Sequence, residues 1–176
     1  MMTKRAVPAV LALACAAIAC TPALDWREVR PEGSGLVALF PCKPDGHARS
    51  LVLAETVVEM TLYACSAGGA TYAVGFADLG QPQRVERALA ELSAAAARNV
   101  GSTDTPAATP VRVDGMTPNP RAERRTLVGQ LSDGRPVQEQ VAVFARASRV
   151  FQVTVVGMKL DSEAVETFFS ALRLPA

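Results

Sequence analysis

Cys42 and His47 stand five residues apart in FPCKPDGHARS (40–50), and a second thiol, Cys65, follows in LYACSAGG. A thiol within reach of an imidazole is a nucleophile and base. Two thiols and an imidazole would begin a zinc site, which wants three or four protein ligands. Other readings of the two thiols are a structural disulfide, a redox pair or reduced bystanders. Redox dithiols usually sit as Cys-x-x-Cys, and no such motif occurs. Prolines 41 and 44 with Asp45-Gly46 read as a tight turn that separates Cys42 from His47. His47 is therefore expected as a solvated loop residue, with no catalytic, cofactor or metal residue in the chain. Cys42 and Cys65 are expected to form a disulfide that closes a loop of about 24 residues, worth roughly 3 to 3.5 kcal/mol by chain entropy.

The cysteine count supports that pairing. Lys4 and Arg5 precede an apolar run, VPAVLALACAAIA (7–19), of signal-peptide length and too short to span a bilayer comfortably. The run ends AAIAC. Ala17-Ile18-Ala19 fits ordinary signal peptidase; followed by Cys20 it also resembles a bacterial lipobox, with Ala17 where leucine is usual. On the second reading residues 1–19 are a signal peptide that takes Cys15 with it. Cys20 carries lipid, 20–24 is a tether, and Cys42 and Cys65 remain as an even pair. Thr21, where enteric inner-membrane retention uses Asp, tilts the expected location to the outer membrane, with the domain facing the periplasm.

The remainder, 25–176, is expected to be one domain of small aliphatics: the chain is 49% hydrophobic, 20% charged and only 5% aromatic. Net charge is +1, and without 1–19 the chain has 16 basic and 17 acidic residues. No basic excess points to nucleic acid. GLVALF (35–40) reads as a strand. ARSLVLAETVVEMTLYACSA (48–67) reads as two, the second with Val58, Met60, Leu62 and Ala64 on its drier face. Gly68-Gly69 turns the chain into ATYAVGFADL (70–79), with Tyr72, Val74 and Phe76 on one side. The period then changes to helical over 82–101, with Val85, Leu89, Leu92 and Ala96 on one face and Gly101 as the stop. VRVDGMTPNP (111–120) reads as a short strand and a turn. RAERRTLVGQL (121–131) and RPVQEQVAVFARA (135–147) flank Ser-Asp-Gly as a hairpin, and RVFQVTVVG (149–157) follows. A helix capped by Asp161 or Ser162 buries Val165, Phe168, Phe169 and Leu172, with Arg173 placed to meet its dipole. The fold class is α+β: a mostly antiparallel sheet covered by two main helices.

That order of elements, with VALFPCKP near the start, GATYAVGFADL running into an alanine-rich helix, and DSEAVETFFSALRL at the end, resembles the PsbP-like fold. More narrowly, it is similar to small bacterial lipoproteins of that fold whose function is unknown. The resemblance spans about residues 25 to 175, and many relatives have glycine at the position of Cys42. It implies a PsbP-like sandwich but carries over no functional residue. No nucleophile elbow, phosphate loop, dinucleotide fingerprint or calcium loop occurs. Arg121, Glu123 and Arg125 fall on one face of a strand and Arg124 on the other. A salt-bridged solvated edge is the expected role; the alternative is contact with a phospholipid head group or an acidic protein. The function expected is that of a non-catalytic, lipid-anchored accessory or binding protein of the cell envelope, with the membrane and an envelope protein as partners. The alternative is a small-ligand carrier or enzyme with a site between sheet and helix, lined by Tyr63, Tyr72 or arginines.

Overall fold

Alternation along the strands decides which face of the sheet each side chain meets. The computed structural model describes residues 24–102 and 107–175. A short ladder pairs β1 (Arg27–Val29) with β2 (Ala38–Phe40). The main sheet has seven strands: β3 (Asp45–Leu53), β4 (Thr56–Ala67), β5 (Ala70–Asp78), β6 (Thr109–Pro110), β7 (Glu123–Gln130), β8 (Pro136–Arg146) and β9 (Arg149–Gly157). Their order is β3-β4-β5-β9-β8-β7-β6, and every neighbouring pair is antiparallel. Two hairpin-linked halves thus join at β5 and β9. Helix α1 (Val85–Asn99) leaves the first half, and α2 (Ser162–Ser170) follows the second.

Each face has its own core. Tyr72, Val74 and Phe76 of β5 lie with Phe151, Val153 and Val155 of β9 under α2 and β2. The aromatic rings gather on this face: Phe168 of α2 meets Phe40 at 5.2 Å and Tyr72 at 5.3 Å, and Phe144 stacks on Phe151 at 5.0 Å. Trp26 packs against its rim, edge-on to Tyr72. The other face is aliphatic, with Val137, Val141, Val143 and Ala145 of β8 under Val85, Ala88, Leu89, Leu92 and Ala96 of α1. Small residues let this helix lie close to the strands. Its end is a Schellman motif: Gly101, at φ +60°, donates to the Arg98 carbonyl and Ser102 to that of Ala97. Asp161 caps α2, accepting from the amides of Glu163 and Ala164. The α+β class and the large antiparallel sheet are therefore as expected, but the helices cover only part of that sheet.

Four local expectations are corrected. Asp45-Gly46-His47 is strand, paired with Ala64, Tyr63 and Leu62; the turn is confined to 41–44. A nine-residue ladder outweighs the Asp-Gly turn preference, and the Tyr63 ring fills the space beside Gly46 that a Cβ would occupy. Residues 111–113 form no strand. Val111 still donates to the Ala122 carbonyl, but the ladder with β7 is confined to Thr109 and Pro110 of β6. The first strand is shorter than GLVALF, because only Ala38–Phe40 has a partner long enough. Arg173 lies beyond α2, not in its last turn, and its guanidinium reaches Glu28 at 2.5 Å.

Candidate functional site

Cys42 and Cys65 are bonded to each other, with Cα atoms 6.0 Å apart. Their bond fastens the loop after β2 to the β4–β5 hairpin. His47 does not join them. It stands opposite Leu62 on β4, whereas Cys65 is three residues further along that strand. Side chains alternate between faces, so the imidazole and the sulfur project to opposite sides of the sheet. Cys65 packs on the aromatic core, while His47 is exposed on the α1 side. The dyad geometry is thus excluded by parity, not by the turn. Cys15, Cys20, the expected signal peptide (1–19) and residues 20–23 of the expected tether (20–24) lie outside the described residues, as do residues 103–106.

The arginine-rich stretch is salt-bridged. Arg124 donates to Gln140 and to both Glu166 oxygens, at 3.0 and 2.6 Å, and its guanidinium stacks 4.1 Å from the centre of the Phe169 ring. On the opposite face Arg125 binds Glu123 at 2.7 Å, and Ser93 of α1 donates to the same carboxylate. Burial pushes the Glu123 carboxyl up, but the hydrogen bonds from Arg125 and Ser93 outweigh it and hold the group below its ordinary value. Arg121 reaches Glu86 at 3.7 Å. These side chains tie both helices to β7.

A concavity lies on the α1 side, where the helix packs mainly on β8 and β9, buries Leu53, Val58, Met60 and Ala77 beside its first turns, and leaves the far parts of β3 and β4 open. The result is a groove of about 730 Å³. Its floor is small and mixed: Ala64, Ala73 and Gly75 give depth, and Thr71, Gln152 and Thr154 give hydrogen-bonding groups. Leu51, Leu53, Met60 and Leu62 supply apolar surface on the β3 side, and Leu92, Ala95 and Arg98 form the helix wall. His47 and Arg49 stand on the far rim. Leu62 is 43% exposed, so the face expected to be the drier one along β4 becomes open surface past Met60. The Tyr63 and Tyr72 side chains lie on the other face and line no part of the groove.

Two features hold the groove in shape. The β3–β4 turn places Ala54 and Glu55 at φ 48° and 61°, the left-handed pair that a two-residue hairpin needs. Its Ala54 amide donates to Glu91 at 2.8 Å, and its carbonyl accepts from Arg84 at 3.1 Å. The far end of α1 is docked through Val100, whose carbonyl accepts from the Gln130 amide over Gly129.

Deep in the groove sits Glu139 of β8. It is 6% exposed, between Leu127 of β7 and Val156 of β9. Among the described residues nothing donates to its carboxylate or pairs with it, and burial alone pushes its pKa to about 7. A perturbed, buried carboxylate in a cleft marks a functional site better than any thiol here. Sequence reasoning passed over Glu139, although its position carried a signal. Val137, Val141 and Val143 share its face, so a charge interrupts an otherwise apolar alternation. Among the described residues no cluster of three or more His, Cys, Asp or Glu side chains could hold a metal ion. No helix among them is long and apolar enough to cross a membrane. The sequence matches no model of a known protein family, and no curated protein matches it.

Proposed function

We propose that this chain is a non-catalytic, lipid-anchored binding protein of the bacterial cell envelope, with a PsbP-like fold, and that the groove between α1 and β3 is its binding site. The observation that carries the reading is the incompletely covered face of the sheet: a concavity of about 730 Å³ with a mixed apolar and polar floor and one largely buried carboxylate. Sites for small organic molecules have that size and make-up. The groove favours the small-ligand-carrier form of the reading over a purely protein-binding accessory. A disulfide between Cys42 and Cys65 supports an oxidising compartment. The AAIAC motif supports attachment through Cys20, with Thr21 favouring the outer membrane and the domain facing the periplasm.

Two measurements test it. Mass spectrometry of the full chain recovered from bacterial membranes should give an N-terminal acylated Cys20, and Cys20→Ala should move the protein to the soluble fraction. Retention of the variant on membranes would overturn the anchor. Native mass spectrometry should show a small molecule retained by the purified protein. Ala95→Trp, which fills the groove from its helix wall, should release it. Retention unchanged by that substitution would overturn the site.

A further inference from the structure

An ionised carboxylate without a partner costs several kcal/mol to keep out of water. Glu139 approaches that condition: it is more than nine-tenths buried, lacks a partner among the described residues, and lines the groove, where its oxygens keep some contact with solvent. The strands beside it supply only Leu127 and Val156, neither of which can donate. The charged groups that face the groove are Glu91 and Arg98 on α1 and His47 and Arg49 on β3. β4, β5 and β9 add none there, and Glu123 and Arg125 of β7 are occupied with each other. Among the described residues no ion pair or hydrogen bond joins Glu139 to any of these cations, and burial raises its carboxyl pKa.

The missing donor is then a ligand's. Resting on the groove as the binding site, we propose that the ligand is an amphiphilic amine: its protonated nitrogen donates to the Glu139 carboxylate and its apolar body lies along the floor over Ala73, Ala64 and Leu62. From β8 to β4 is three strand steps, about 14 Å, long enough to seat a linear apolar chain. The rim arginines are the competing attraction, for an anionic head group. Arg49 and Arg98 are exposed, where water and salt weaken such pairs to about 1 kcal/mol or less. The same charges attract more strongly in the largely buried surroundings of Glu139. The rim arginines also disfavour a second positive charge on the ligand, so a monocation fits best.

The test uses the full-length Cys20→Ala chain, exported and purified without detergent, and three probes of equal length: decylammonium, decanol and decanoate. Calorimetry at pH 8 should show decylammonium binding at least tenfold tighter than decanol. Glu139→Gln should remove that advantage and change decanol affinity less than twofold. Decylammonium affinity should rise from pH 6 to pH 8 as the carboxyl loses its proton. That rise should vanish in Glu139→Gln and persist in His47→Ala. Tighter binding of decanoate, unchanged decylammonium affinity in Glu139→Gln, or no binding of any probe overturns the proposal. Ala95→Trp, checked for fold by circular dichroism, separates it from the groove reading. If that variant loses all three probes but wild type shows no preference for the ammonium, only the role of Glu139 falls. If it binds all three as wild type does, the groove falls too.

Discussion

Glu91 of helix α1 accepts a 2.8 Å hydrogen bond from the amide of Ala54, at the tip of the β3–β4 hairpin. One side chain thereby fixes the distance between the two walls of the groove. Arg87 holds the same carboxylate at 2.9 Å and reaches Glu55 at 2.8 Å. The Ala54 amide first, and Arg87 second, keep Glu91 below the ordinary carboxylate pKa. A depressed acid stabilises the fold above its unfolded pKa, about 4.3, and loses that contribution as pH falls through the lower folded value. Glu91→Ala should cost about 1 kcal/mol at pH 7, discounted for partial exposure. The cost should shrink as pH falls below the ordinary carboxylate range, where the charged part of these contacts is lost. Hydrogen exchange at the Ala54 amide should quicken at neutral pH.

The same turn is built from residues that dislike it. Ala54 and Glu55 both adopt positive φ, a conformation that costs a non-glycine residue roughly 1 kcal/mol or more. Replacing the pair with Asn-Gly should raise stability by about 1 kcal/mol, seen as a higher urea midpoint at unchanged slope.

Glu139 gives the opposite pH signature to Glu91. Its pKa is raised to about 7 in the fold by burial, against an unfolded value near 4.3. A raised acid costs nothing while protonated in both states; the penalty grows as pH climbs above the unfolded pKa and levels off above the folded one. The wild-type protein should lose about 3 kcal/mol between pH 4 and pH 8 from this group. Glu139→Gln should abolish that loss, so its advantage over wild type grows across the same interval in thermal melts.

The bond between Cys42 and Cys65 ties the loop after β2 to β4 across 23 residues. Cys42→Ser with Cys65→Ser should lower stability by about 3 kcal/mol and Tm by about 6 to 12 °C. Reduction of the wild type should add two mass units and reproduce the loss.

Gly129 lies beneath the end of α1, where an added Cβ would fall 1.8 Å from the Val100 carbonyl oxygen and 2.8 Å from its carbon. The atoms it would meet are backbone atoms of Val100 and Ser102, so no flexible side chain can give way. Gly129→Ala should cost about 3 kcal/mol or more, because the helix must lift from β7 and the Val100–Gln130 hydrogen bond must break. The loss should appear in urea unfolding and as faster exchange of the Gln130 amide.

Local chemistry was legible in the chain wherever a residue's neighbours in sequence are also its neighbours in space. Period-two alternation placed Tyr72, Val74 and Phe76 on one face of β5. Period-3.6 spacing placed Val85, Leu89, Leu92 and Ala96 on the buried side of α1, and Gly101 ended that helix. Asp161 capped α2 as its type and position implied, and the cysteine count anticipated the Cys42–Cys65 pair. Three results needed the tertiary structure. Asp45-Gly46 joined a strand because β4 offers it a ladder, which no local propensity can report. His47 and Cys65 fell on opposite faces because register, set by pairing over many residues, decides parity. The groove itself exists because α1 is too narrow to cover a seven-stranded sheet and lies over β8 rather than β4. Sequence alone determined which faces are apolar. How far each face is covered, and so why one carboxylate among the valines of β8 lines a groove instead of being silenced by a partner, depends on where the helix comes to rest.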